Sequence, residues 1–442
     1  MKSGRKPIRD VFRSAVLSGN RAFGTNLRLA KIFAAEGVLF SLIITICNNN
    51  NNLFAARLGA DSYQLGLIAS LPPMVGLIFL IPFAIITDRL RNKRNMVIIA
   101  SLGLGITYAL VGSVAFLSTS RIIPLIIILI IVNFPMTLYN SSWQAFFSDV
   151  VRPEERNEVY AHRTRMNTAV GIVFPLLFGA ILTAATGTGK IAVHQVYYFL
   201  ALPFSLGQMF LLRKVHSDVD HASPKLKLSV LRQTAKSLFK NSHFRGFLVV
   251  AMMVYIGWQM DWSLYFQAQL NYLNMNESQM SLVIVLCAIT QFIMLGYWSR
   301  LASTKGIRFV FVIGAGGFAF CCLSMVISLL LPPPVDVLFY YIFQSIGSAA
   351  FSAFQLSTLL CLLEVIPPQN KTLSIALYST FILISNIVMP YFGVVIYNTI
   401  GGDRQAMIIT MSIVTAIRIA ATAAAFFRWR ANKDDEISVE IA

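Results

Sequence analysis

Ionisable side chains are what this chain has fewest of. Asp, Glu, Lys and Arg together make 12% of its 442 residues, about half the share found in a soluble globular domain. With 56% hydrophobic residues, so few charges cannot clothe a water-soluble surface. Acidic groups are the scarcer sign, 19 against 36 basic, for a net charge of +17. Cysteine is sparse and unpatterned: Cys47, Cys287, Cys321, Cys322 and Cys361 all lie in apolar runs, without the spacing of a metal site or a disulfide framework. The five histidines are scattered, so neither a zinc site nor a catalytic triad can be assembled. The glycine cluster Gly314-Ala315-Gly316-Gly317 sits inside an apolar run, where small residues allow close helix packing; it is no phosphate loop. These absences argue against an enzyme, and the lack of a nucleotide-binding domain leaves gradients rather than ATP to drive any work. No cofactor or metal is expected.

Long apolar sequence is what the chain has in abundance. About twelve runs cover approximately 32–57, 63–87, 95–117, 122–147, 160–185 and 192–212, then 245–271, 277–298, 309–331, 335–363, 372–399 and 405–427. Each is near the roughly 20 residues a bilayer-spanning helix needs. The expected class is an all-α membrane protein of twelve transmembrane helices. The longest polar stretch between runs divides the chain into a basic N-terminal segment (1–29), a first six-helix bundle (30–212), a linker (213–244), a second bundle (245–427) and a tail (428–442). Ile8, Val11, Phe12, Ala15 and Val16 have helical spacing with Arg9 and Arg13 interleaved, as in a helix lying on a lipid surface.

Cations set the orientation, because Lys and Arg in short loops stay on the cytoplasmic side. Lys2 to Arg21, Arg89 to Arg94, Arg152 to Arg165, Arg213 to Arg245, Arg300 to Arg308, Lys371 and Arg428 to Lys433 occupy every second loop. The alternate loops hold only scattered cations such as Arg57, Arg121, Lys190 and Arg404. Both termini and the linker are therefore expected inside a plasma (inner) membrane. The same asymmetry accounts for the net charge: the partners expected are membrane lipids, not nucleic acid.

The two halves read as copies. Asp149-Val150-Val151-Arg152-Pro153-Glu154-Glu155-Arg156 aligns with Glu364-Val365-Ile366-Pro367-Pro368-Gln369-Asn370-Lys371, an offset of 364 − 149 = 215. That offset also sets Pro175 on Pro390 and Asp61-Ser62-Tyr63-Gln64 on Asn276-Glu277-Ser278-Gln279. Arg89-Leu90 meets Arg300-Leu301 at 300 − 89 = 211.

Between the second and third runs lies a dense charged turn, Asp88-Arg89-Leu90-Arg91-Asn92-Lys93-Arg94, which must sit at a membrane surface. It resembles the signature loop of the major facilitator superfamily, GxxxDRxGxRK, with Ala84 and Arg91 in place of the two glycines. The loop from Trp143 through Asp149 to Pro153 and Arg156 is similar to one found in many bacterial members. The resemblance covers nearly the whole chain and implies a secondary transporter with its substrate site near the midplane between two bundles. It also implies a gating role for Asp88, Arg89, Lys93, Arg94, Asp149 and Arg156, with Asp88 latching the inside-closed state against the other half. The plainer alternative is that these cations only set topology.

Polar residues inside apolar runs are costly and mark pathways by default. Asp261, within Gly257-Trp258-Gln259-Met260-Asp261-Trp262, reads as a lone membrane carboxylate suited to carrying protons, or as a structural one bonded to neighbouring helices. Asn48 to Asn52 form an unbroken asparagine run in the first helix, with Asn49 opposite Asp261 in the repeat. Five successive residues turn through more than a full circle, so some amides must bond backbone or other helices, and an irregular helix is expected there. Asn48, Asn49 and Asn52 are substrate-site candidates with Gln259. Glu36 follows Lys31 closely enough that an ion pair at the inner interface is its expected role, with a pathway role second. Arg163 and Arg165 open the fifth helix and could meet an anionic group or anchor at headgroups. Trp143, Trp258 and Trp262 could stack on an organic substrate or serve as interface anchors.

Direction of transport is read from the fifth helix and the aromatic lining. Exporting family members carry GPxxGG in the fifth helix, of which Phe174-Pro175-Leu176-Leu177-Phe178-Gly179 keeps only the proline and last glycine. An aromatic lining at Phe146, Phe147, Trp258, Trp262, Tyr265 and Phe266 leans toward amphipathic compounds. The expectation is a monomeric, proton-coupled carrier of a small organic molecule, with export by antiport preferred. Uptake of a polar nutrient such as a sugar or nucleoside is the alternative, and a non-transporting sensor or scaffold is a distant third.

Overall fold

The computed structural model describes residues 27–89, 92–118, 120–152, 155–215, 235–366 and 371–431. The chain is helical throughout these segments, and twelve of its helical stretches are long and apolar enough to cross a membrane. In chain order the helices are α1 (Leu27–Ile46), α2 (Asn51–Arg57), α3 (Ser62–Ser70), α4 (Pro72–Arg89), α5 (Lys93–Ser113), α6 (Ile122–Val150), α7 (Arg156–Ala184) and α8 (Gly189–Arg213). The second half follows with α9 (Ser242–Met260), α10 (Trp262–Gln267), α11 (Glu277–Lys305), α12 (Ile307–Leu330), α13 (Val335–Val365), α14 (Lys371–Ile400) and α15 (Arg404–Ala431).

Three spans are each built of two pieces: α1 with α2, α3 with α4, and α9 with α10. A 3₁₀ turn, Asn48–Asn50, separates α1 from α2, because asparagine side chains compete with the helical backbone for its hydrogen bonds. Asn50 Nδ2 donates to the carbonyls of Thr45 and Ile46 at 3.1 Å each, so groups freed by the break are answered locally. Asp261 ends α9 and α10 runs into a π-turn, Ala268–Tyr272. Proline is tolerated at Pro135, Pro175, Pro203 and Pro390 inside long helices, where neighbouring helices can satisfy the freed carbonyls.

The repeat seen in the sequence is present as structure. Asp61 and Asn276 both make full capping boxes, with Gln64 and Gln279 reaching back to the cap. Lys93 pairs with Asp149 at 2.8 Å, and Arg308 pairs with Glu364 at 2.9 Å. Both members of the second pair stand 215 residues after those of the first, so one ion pair recurs in each half.

Each bundle buries its own core. Ile43, Leu104, Tyr108, Leu129 and Tyr198 fill one end of the first, and Phe33, Tyr139, Trp143 and Phe146 the basic end. Phe247, Phe311, Phe354 and Tyr378 do so in the second. Residues such as Ile99, Ile123, Phe210, Ile293 and Phe427 face outward, as a lipid-facing belt requires. Two seams join the bundles: α7 packs on α11, and α14 packs on α3 and α4.

Candidate functional site

The seams close at the end away from the basic loops. Asn276 caps α11 and places Glu277 in its first turn, where the helix dipole favours a carboxylate. Glu277 is 3% exposed and pairs across the seam with Arg57 from α2 and with Lys190 from α8, the latter at 2.7 Å. Thr183 and Ser278 share a hydroxyl hydrogen bond of 2.9 Å. Ser62 donates to Gln267 at 2.7 Å, and the Tyr391 backbone NH donates to Ser70 at 3.0 Å. Gly179 lets α11 approach so closely that a Cβ there would lie 2.3 Å from Ser281 Oγ. Sequence reading did not single out Glu277; its signal was an acid in the first turn of a span whose repeat partner, Ser62, is neutral.

Toward the basic end the bundles part around a cleft of about 500 Å³ lined by Gly76, Leu80, Asn133, Met136, Thr137 and Asn140 of the first half, and by Tyr255, Tyr378, Ser379, Leu383 and Asn386 of the second. Its polar groups are carboxamides and hydroxyls, with no charged side chain among the described residues of the lining. Asn386 Oδ1 is buried without a hydrogen-bond partner among the described residues. A smaller cavity of about 110 Å³, beneath the closed seam, is lined by Asn49, Asn50, Phe178, Phe266, Gln269 and Glu277, among others.

Asn140 also lines an adjoining chamber of about 450 Å³, with Phe40, Tyr139, Trp143, Gln144, Phe147, Tyr160 and Arg163. Behind it lies Glu36, fully buried. Glu36 accepts from the Tyr139 hydroxyl, from Trp143 Nε1 at 3.2 Å, from Arg163 Nε at 3.2 Å and from Gln208 Nε2 at 3.2 Å. Arg163 also donates to the Tyr139 oxygen at 3.3 Å, and its guanidinium carbon lies 3.9 Å above the Trp143 ring. Gly37 makes room for this: a Cβ there would stand 2.7 Å from Arg163 Cγ. The inner-interface pair with Lys31 expected for Glu36 is therefore corrected. Arg163 from α7 is its partner, inside the first bundle, which spacing along one helix cannot reveal.

Asp261 is likewise not a lone carboxylate. It is 1% exposed and bonds Arg418 of α15 through both oxygens, at 2.5 and 2.6 Å. Arg418 further donates to the carbonyls of Gly257 at 3.0 Å and Phe318 at 2.7 Å. Asp261 lines neither the cleft nor the chamber. Arg418 was missed because it lies in an otherwise apolar run close to the basic tail, where one more cation attracts no notice.

The other expected residues fall in three groups. Asn49 lines the inner cavity, while Asn48 accepts from Tyr108 at 3.2 Å and Asn52 is half-buried. Trp258 stacks on Phe318 at 5.1 Å inside the second core, Gln259 is buried beside it, and Trp262 is 52% exposed; none of the three lines a cavity given above. Arg165 is exposed, next but one to the buried Arg163. Of the charged-turn residues, Lys93 and Asp149 meet, and Arg94 donates to the Val215 carbonyl at 2.9 Å. The side chains of Asp88, Arg89 and Arg156 lie outside the described residues. The Lys93–Asp149 pair is internal to the first bundle, not a bridge to the second.

Two pseudo-symmetric six-helix bundles, closed at one end around ion pairs and parted at the other around a polar cleft, define a membrane carrier fold. The family model for the Major Facilitator Superfamily matches residues 32–272 and 247–440, and the chain belongs to that superfamily. It is an integral, multi-pass membrane protein of a transporter family. Among solved structures it is similar to a bacterial homologue of the iron transporter ferroportin in an inward-facing state (13% identity, 92% of this chain and 99% of that one, TM-score 0.72). It is also similar to a bacterial homologue of the human lysosomal transporter Spinster, inward-facing and unoccupied (14% identity, 98% and 99%, TM-score 0.66). A D-xylose–proton symporter is a third such structure (15% identity, 91% and 96%, TM-score 0.66). These likenesses concern the fold. No curated protein matches by sequence.

Proposed function

We propose that this protein is a gradient-driven, alternating-access carrier of a small organic molecule, coupled to protons, and that the structure is its inward-facing state. The observation that carries the reading is the contrast between its two ends: Glu277 bridging Arg57 and Lys190 at one, and a carboxamide-lined cleft between the bundles toward the other. A rocking motion that breaks the first and closes the second would expose the cleft alternately to each side. The basic loops support a parted end that faces the cytoplasm, with the linker on that side and the protein a monomer in the plasma membrane.

Of the two directions, the buried charges favour uptake with protons over the export preferred from sequence. A carboxylate already tied to Arg163 is a poor seat for a cationic drug, whereas a proton can join it. The half-match at Phe174 to Gly179 gives no counterweight.

Purified protein in liposomes should move protons when a chemically mixed library of metabolites is added. In a variant with the native cysteines replaced, a disulfide between Thr183→Cys and Ser278→Cys should stop that movement and a reductant restore it. Movement that persists in the cross-linked protein would sink alternating access through this seam.

A further inference from the structure

We infer that the chamber at Glu36 and Arg163 seats a planar organic monoanion, an aromatic carboxylate in class, and that this anion binds together with one proton taken up on Glu36. The inference rests on the carrier reading and names the substrate class for it.

The walls favour a flat apolar body. Phe40 stacks on Tyr139 at 4.2 Å and 10°, Trp143 stacks on Phe147 at 5.1 Å and 15°, and Tyr160 closes the side. Asn140 and Gln144 supply hydrogen-bonding groups at the margin, and among the described residues of the lining Arg163 is the one charged side chain. It is 8% exposed, and its Nη1 makes no hydrogen bond among the described residues. A planar guanidinium lying on an indole face is a strong seat for a carboxylate, which it can hold through two parallel hydrogen bonds.

Charge balance then dictates the coupling. With Glu36 ionised, the pair with Arg163 is neutral, and an anion entering would leave one uncompensated negative charge in a buried site. With Glu36 protonated and no anion, one positive charge is stranded. Both states are costly at low dielectric, and the state holding proton and anion together avoids both. The proton bonds to a Glu36 carboxylate oxygen, that oxygen's ion pair with Arg163 is released, and the guanidinium turns to the ligand carboxylate. The titratable or charged groups that reach Glu36 are Arg163 from α7 and Tyr139 from α6. Also facing it, Trp143 from α6 and Gln208 from α8 are neutral, and α5 contributes only Ser101, which donates to Gln208. Among the described residues, no other group in contact with Glu36 can take up the proton. Binding of anion and proton are reciprocally favourable.

The test is calorimetric titration of the purified full chain with 1-naphthoate, 1-naphthamide and 1-naphthylmethylammonium, in buffers of different ionisation enthalpy. Wild type is expected to bind naphthoate at least tenfold more tightly than either analogue and to take up one proton per ligand. Its affinity should fall about tenfold per pH unit on the alkaline side, as one-proton linkage requires. Glu36→Gln should bind naphthoate with no proton uptake and no pH dependence. The charge-neutral double variant Glu36→Gln/Arg163→Gln, which strands no buried charge, should lose binding tenfold or more. Naphthoate binding no tighter than naphthamide, or unchanged in the double variant, overturns the assignment. If naphthamide or the ammonium compound instead drives proton movement in liposomes, the anion is wrong and the carrier stands. If nothing in the mixed library moves protons either, the carrier reading falls with it.

Discussion

Two buried carboxylates have opposite jobs, and their surroundings separate them. Asp261 faces no cavity and is held by an arginine that also ties two backbone carbonyls across α9 and α12; it braces the second bundle where its helix breaks. Asp261→Asn strands the buried Arg418 charge, a loss of about 3 to 5 kcal/mol by analogy with other broken buried pairs. Thermal unfolding in detergent should show a lowered midpoint, with transport per folded molecule within about twofold of wild type. Glu36, by contrast, backs a chamber. Gly37→Ala drives a methyl group into Arg163 and Asn167, and overpacking of this kind costs about 1 to 3 kcal/mol. Naphthoate affinity should drop about tenfold in this variant, measured by titration at fixed pH, while the proton-uptake stoichiometry stays at one. At this scale the sequence was a partial guide. It marked Asp261 as an intramembrane charge and set Glu36 and Arg163 near the inner interface, yet the partners of Glu36 and Asp261 lie 103 to 172 residues away in the chain, and only packing reveals them.

The spans themselves were legible as elements, because a bilayer imposes a length and a composition that no soluble core demands. The broken first helix was also foreseeable, since five asparagines in a row cannot all be satisfied as regular helix. The division of labour among them was not: Asn50 serves the backbone, Asn48 and Asn51 answer Tyr108 and Tyr198, and Asn49 meets the cavity. Gly393 shows the same dependence on packing, for a Cβ there would fall 1.9 Å from the Met260 carbonyl oxygen, just where α9 ends. The charged turn between α4 and α5 remains an element whose role is proposed from resemblance. Asp88→Asn should reduce proton-coupled uptake at least tenfold without loss of membrane insertion, read as flux per inserted molecule; normal flux would reduce the turn to a topology signal.

For the whole molecule, the two-bundle plan follows from twelve apolar runs with one long polar stretch after the sixth, and the internal match at 215 residues marks the halves as copies at the level of sequence. What closes one end could not be read, because Glu277, Arg57 and Lys190 sit near helix ends where charges are ordinary. Glu277→Gln weakens two charge-assisted bonds, each worth about 1.5 to 3 kcal/mol. The opening equilibrium should therefore shift by tenfold or more. A cysteine placed at Ser281, against Gly179, should become correspondingly more reactive toward an impermeant maleimide added from outside, in a background free of the native cysteines; unchanged reactivity would mean the seam is held by packing alone.

The paired capping boxes and the twin ion pairs at the same offset were inherited by both halves, but the Glu36 and Asp261 sites were not: adding 215 to Glu36 and to Arg163 gives Ala251 and Tyr378. Duplication thus preserved the joints and let the contents drift. One descendant became the chemist and the other the chassis. Ligand preference should therefore be re-engineered within the first half alone, leaving the second to supply the leverage against which any cargo is moved.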